Sequence, residues 1–213
     1  MRFNKKIAIK IITSAAAEYE RYLNRKQFLI VYRNGKEYKY VEVGFRDMNF
    51  LHLTGVKTEI SAQKFYEYCL TNRLSEKDFD IDKEGKVQRK LMVLPYLHKL
   101  LYQNCMIGNF INSGIMIKAD YFVGDTKLIL SVGFRREHGK DLPVTLYSGD
   151  VRKLTNPTNK VVAIFVRTFP DEIYKEQTYI SKEIRFEDLK LPNDLVSLEE
   201  QKASGNIESN KAK

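Results

Sequence analysis

The sequence has no tryptophan, two cysteines, three histidines and five prolines in 213 residues. Cys69 and Cys105 lie in apolar surroundings without CxxC spacing. That argues against a disulfide framework or a thiolate zinc site and for two buried free thiols in a reducing compartment. His52, His98 and His138 are scattered along the chain, so no metal is implied. No apolar run approaches the roughly 20 residues that span a bilayer, and no membrane partner is expected. Also missing are a GxxxxGK[ST] phosphate loop, a GxGxxG turn after a strand and a GxSxG nucleophile elbow. Their absence disfavours the common nucleotide-cofactor enzymes and the serine hydrolases, and no cofactor is expected.

What the chain does have is positive charge. Lys and Arg number 36 against 27 Asp and Glu, a formal net charge of +9. Such an excess attracts polyanions by releasing condensed counterions, which makes nucleic acid the first partner to consider. The bland alternative is a basic domain that binds nothing. At the N-terminus, "MRFNKKIAIKIITSAAAEY" has the outline of a signal peptide, but Lys10 interrupts its apolar stretch. Ile7, Ile11, Ile12, Ala15, Tyr19, Tyr22 and Leu23 recur at helical intervals and predict a first helix instead. A cytoplasmic protein is expected.

"QFLIVYRNGKEYKYVEVGF" predicts a β-hairpin, Phe28 to Tyr32 and Tyr38 to Val43, with Asn34-Gly35 in a type I′ turn. Ser61 reads as the cap of a helix through "AQKFYEYCLTNRL". "VQRKLMVLPYLHKLLYQ" predicts a longer helix that Pro95 bends or splits. From Cys105 the period shortens towards two, and short β-type runs alternate with Gly, Asp and Asn. The pattern is that of an α+β domain over residues 1–197, helices packed on a curved, mainly antiparallel sheet, followed by an aperiodic tail at 198–213. A last short element is expected between Asp188 and Glu200.

The candidate chemical groups begin with "NFLHLTGVKT". Read as a strand, Leu51 and Leu53 face the core and His52 faces solvent or a cleft, with Gly55 permitting a sharp turn. Histidine suits proton transfer near neutral pH; the alternative is a surface histidine without chemistry. In "IKADYFVGD", alternation puts Ile117, Ala119 and Tyr121 on one face and Lys118, Asp120 and Phe122 on the other. Lys118 is either a solvated ion pair or a phosphate binder. "GFRRE" offers Arg135 or Arg136 as a two-pronged phosphate clamp. "LYSGD" offers Tyr147 and Ser148, the serine equally suited to capping "GDVRKL". His98 reads as a helix-face residue and His138 as part of a polar loop.

"FLHLTG", "SAQKFYEYC", "RKL" at Arg89 to Leu91, "IGNF", "KADYFVGD" and "LYSGD", in this order, resemble a phage- and mobile-element-associated, nuclease-like family. It belongs to the superfamily of barnase, EndoU, colicin-type RNases and RelE (BECR), and the resemblance spans residues 25–170. It implies a small antiparallel sheet packed against N-terminal helices. It also implies metal-independent RNA cleavage by attack of the ribose 2′-hydroxyl, in a toxin or effector that works on RNA and has an inhibitor or host protein as a further partner. That reaction needs a base, an acid and cations. The resemblance casts His52 as the proton-transfer group, Lys118 and Arg135 as phosphate stabilisers, and Thr54 and Ser148 as phosphate positioners. Tyr147 would stack on a base or donate a proton. Two rivals are a non-catalytic nucleic-acid- or protein-binding module on the same fold, and a small-molecule enzyme using the same cleft.

Overall fold

The computed structural model describes residues 3–111, 117–125, 127, 129–137, 139–192 and 194–197. Helix α1 (Lys5–Tyr22) starts where Asn4 Oδ1 accepts the Ile7 N–H at 3.0 Å, and it buries Ala8, Ile12, Ala15, Ala16 and Tyr19 along one face. The hairpin follows as β1 (Lys26–Asn34) and β2 (Glu37–Gly44). Asn34 pairs with Glu37, so the turn residues are Gly35 and Lys36, one position later than Asn34-Gly35. Only Gly35 has positive φ (65°), the II′ pattern, in which one glycine is enough.

The next segment departs from the strand expected around His52. Residues Asp47–Thr54 form a helix, α2. Asn49 Oδ1 accepts the Arg46 N–H at 2.9 Å at one end, and Gly55 (φ 74°) closes the other in the left-handed region. Phe50 and Leu53 are three residues apart and both fully buried, a helical spacing that the apparent alternation in "FLHL" obscured. Ser61 caps α3 (Ala62–Leu70) as expected, its Oγ accepting the Lys64 N–H at 3.3 Å. Pro95 does split the longer helix: α4 (Lys86–Val93) passes into a 3-10 helix at Leu94–Tyr102.

Strands β3 (Met106–Phe110), β4 (Tyr121–Asp125), β5 (Leu130–Arg135), β6 (Leu142–Ser148), β7 (Thr155–Thr168) and β8 (Glu176–Ile180) complete an eight-stranded antiparallel sheet. Its order is β2-β1-β7-β3-β4-β5-β6, with β8 paired to β7. The sheet curls without closing. Its two edges touch where Gly44 N–H donates to Asp141 O (2.9 Å) and Asp141 N–H to Glu42 O (3.0 Å). The helices fill the concave face over Phe28, Ile30, Val123, Val132, Phe134 and Ile164. On the opposite face, Tyr174, Leu189 and Val196 cover Leu29, Val31 and Phe165. The architecture is α+β, helices packed on a curved antiparallel sheet, as expected.

Two local expectations are corrected. Strand β4 begins at Tyr121, and Ile117 and Ala119 pack with Phe122 while Tyr121 joins the helix-side core, so the expected alternation does not run through 117–122. Asp150, not Ser148, caps the turn after β6, accepting the Arg152 N–H at 3.0 Å. A short 3-10 helix at Phe186–Leu189 begins two residues before the last expected element and overlaps its start at Asp188 and Leu189. The 198–213 tail lies outside the described residues.

Candidate active site at the junction of α2, α4 and β6

Helix α4 buries Val87 and Leu91, and Lys90 stands one turn after Val87, on the flank where an apolar residue would continue the stripe. Its stem lies across Gly55. A Cβ on that glycine would come within 2.7 Å of Lys90 Cδ, so Gly55 both ends α2 and leaves the path by which the lysine passes. At the tip, Lys90 Nζ donates to Thr145 Oγ1 of β6 at 3.1 Å. Among the described residues no carboxylate lies within 4 Å of that ammonium. Burial accordingly pushes its pKa below the usual lysine range, with no opposing charge to restore it. The partial negative charge at the C-terminus of α2 is the compensation at hand, and it is small.

His52 occupies the last turn of α2, three residues before Gly55, with its side chain exposed. Three-residue spacing sets it on the flank of the helix that leads to Gly55 and Lys90. An ammonium with no carboxylate beside it among the described residues and a strand hydroxyl thus meet where α2 and α4 pack along β6, and His52 is exposed in the last turn of the helix that ends there. Such a group attracts a phosphate, can move a proton, and can fix the direction of the cation.

The other expected site residues lie elsewhere. Thr54 is fully buried; its hydroxyl donates to Leu51 O (2.7 Å) and accepts the Val56 N–H (3.3 Å), which uses it to close the helix end rather than to face a ligand. Tyr147 packs with Phe122, Val151 and Leu154 on the sheet face away from the helices. Ser148 pairs with Leu130, whereas Arg135 pairs with Leu142. These pairs are five residues apart along β5, roughly 17 Å, so Ser148 and Arg135 mark opposite ends of one ladder. Lys118 is exposed ahead of β4, on the Arg135 side, where the N–H of neighbouring Asp120 donates to Phe134 O at 2.8 Å.

Of the two arginines it is Arg136 that enters a cleft, 5.4 Å over the Tyr121 ring and donating to Asn109 Oδ1 at 3.2 Å. Tyr121 in turn donates to Asp141 (2.8 Å), and burial together with that carboxylate raises its pKa well above the usual phenol range. His98 stacks on Tyr22 at 5.3 Å beside Glu18, and burial lowers its pKa. His138 lies outside the described residues. Cys69 and Cys105 are both buried and free, and burial pushes the Cys69 thiol up to about 12.

Lys90 and Thr145 were not among the expected site residues. One signal for the lysine was present: a charged residue at position 90 of the stripe Val87, Leu91, Leu94. Among the described residues no group of three or more His, Cys, Asp or Glu is arranged to hold a metal ion, and no helix is long and apolar enough to cross a membrane. No curated protein and no solved structure matches the chain. A family model does, over residues 11–183, which take in the hairpin, most of α1, the other three helices, the sheet and the corner at Lys90. By that match the chain belongs to the phage-Barnase-EndoU-ColicinE5/D-RelE like nuclease 4 family.

Proposed function

We propose that the protein is an endoribonuclease that cleaves RNA by attack of a ribose 2′-hydroxyl on the adjacent phosphate, with side chains alone as catalysts. The observation that carries this reading is the Lys90 ammonium, desolvated and, among the described residues, bonded only to Thr145 Oγ1. A phosphate is the counter-ion that position lacks. Family membership points to nucleic acid as the source of that phosphate.

In this mechanism His52 takes the proton from the 2′-oxygen as it forms a bond to phosphorus. Lys90 neutralises charge gathering on the non-bridging oxygens, and Thr145 holds the ammonium towards them. The bond to the 5′-oxygen breaks as that oxygen takes a proton from solvent water, leaving a 2′,3′-cyclic phosphate, and His52 then gives its proton back to solvent. A positioned general base contributes about 10²–10⁴-fold, and a preorganised charge at the phosphoryl oxygens a comparable factor. The setting is that of a toxin or effector of a phage or mobile element, so expression of the parent chain in a bacterial host is expected to arrest growth.

The test is incubation of end-labelled RNA with purified protein in excess chelator. Cyclic-phosphate ends are expected, with a fall of at least about 100-fold for His52→Ala. Intact RNA across a diverse panel, or equal cleavage by the variant, removes the proposal. In that event salt-sensitive RNA binding unaffected by His52→Ala would mark a non-catalytic module on the same fold.

A further inference from the structure

At the opposite end of α2 from His52 lies a cavity of about 420 Å³, between the start of β1, the end of β2 and the start of β6. Arg25, Lys26, Arg46 and Lys140 line it, and among the described residues none of them has a carboxylate within 4 Å. Asp47 is the acidic residue at its wall, and its Oδ1 is engaged by the Met48 N–H at 2.7 Å. Phe169 closes the rim with 56% of its surface exposed, in a protein that buries most of its phenylalanines. Asn24 lines the cavity too, and its Oδ1 is buried without a hydrogen-bond partner.

Arg25 is the most telling of these residues. Its φ is +58°, a region that side chains disfavour and glycine occupies freely. The conformation is pinned from both sides: Arg25 N–H donates to Phe45 O (3.0 Å), and Arg25 O accepts from Phe169 N–H (2.9 Å). One residue thus joins the cations to the exposed ring. A strained backbone carrying a long cationic side chain, where glycine would be easier, is the kind of outlier that a binding role explains.

We infer that this cavity is a subsite for single-stranded RNA, with a base stacked on Phe169 and the flanking phosphates held by Arg25, Arg46 and Lys140. Stacking with cations alongside suits unpaired bases, since every base offers a π-face, whereas a duplex keeps its bases inside. Helix α2 is eight residues, about 12 Å, from one end to the other. A strand lying along it reaches from this subsite to the Lys90 corner within a few nucleotides. The inference takes the identity of the ligand from the nuclease reading, but it concerns binding, away from the reacting phosphate.

The test uses a fluorescent 2′-O-methyl oligoribonucleotide, which has no free 2′-hydroxyl and cannot be cleaved by the proposed route. Arg25→Gly and Phe169→Ala are each expected to weaken binding at least about fivefold, and Arg25→Gly to lower the log–log salt slope by about one. The thermal midpoint of Arg25→Gly is expected to equal or exceed the parent's, which separates a lost contact from a damaged fold. A duplex of the same sequence should bind more weakly than the single strand. Unchanged affinity in both variants, or equal binding of duplex and single strand, overturns the subsite even where unmodified RNA is cleaved. Tight, variant-sensitive binding with no cleavage of any RNA overturns the nuclease reading and leaves the subsite standing.

Discussion

Two half-buried cations in this molecule are treated in opposite ways. On the sheet face away from the helices, Arg167 donates from Nε to Gln27 Oε1 (2.9 Å), approaches Glu42 Oε2 at 3.5 Å and lies 4.6 Å over the Tyr174 ring, while Tyr174 donates to Glu42 at 2.8 Å. Each polar group there meets another within the protein. At the α2–α4–β6 corner Lys90 meets, among the described residues, one hydroxyl. A matched cation joins elements together, and removing one member strands the rest. An unmatched cation weakens the fold slightly and is kept, on the reading advanced above, for a charge that arrives from outside. The first arrangement belongs to architecture and the second to chemistry.

The comparison is sharpest at Lys90 itself. Lys90→Met keeps the stem and removes the charge, and RNA cleavage is expected to fall by about a thousandfold while stability to urea rises by about 1 kcal/mol. A loss of both would show that the ammonium supports the fold. Arg167→Met should do the reverse, lowering stability by about 2 kcal/mol through the stranded Glu42 and leaving the cleavage rate of the folded protein unchanged. Gly55→Ala forces a side chain into φ +74° and into the Lys90 stem, for a cost of about 1–2 kcal/mol and a fall in cleavage as the ammonium is displaced. Thr145→Val loosens the direction of Lys90 alone, and about a tenfold loss of rate is expected, at the low end for a hydrogen bond to a charged group.

The smallest effect is in pH. Lys90 has a folded pKa below its ordinary 10.5, so the unfolded chain binds that proton more readily. The penalty is complete below the folded pKa and disappears as pH climbs towards 10.5, so stability attributable to this residue rises with pH across that window. The stability gap between the parent and Lys90→Met should narrow over the same range in urea titrations. A constant gap would show that desolvation of the ammonium is not what separates them.

Much of the framework was readable from local signals. The first helix came from three- and four-residue spacing, the hairpin from β-branched and aromatic runs around Gly35, and the helical break from Pro95. His52 is exposed, as the sequence implies, but on a helix rather than a strand, because four residues of "FLHL" fit either period and Gly55 closes a helix instead of turning a strand. The partners of the site could not be read the same way. Lys90 and Thr145 are 55 residues apart in sequence and meet because β6 runs past two helices, a fact about the curl of the sheet rather than any one segment. Arg135 and Ser148 both sit in apolar-looking runs, and only strand register shows them at opposite ends of the β5–β6 ladder. Arg25 left no local sign at all, since an arginine at positive φ is fixed by hydrogen bonds to Phe45 and Phe169, residues distant along the chain.

The covering of the second sheet face bears on how this protein is handled at the bench. The family match stops at residue 183, yet Phe186, Leu189 and Val196 lie beyond it and sit against Phe165 and its neighbours. Trimming an expression clone to the homology boundary would strip a lid of aliphatic and aromatic side chains from β1 and β7, and the bare surface would invite self-association. Clones meant for crystals or activity assays should therefore run at least through Val196, the last of the described residues in that lid.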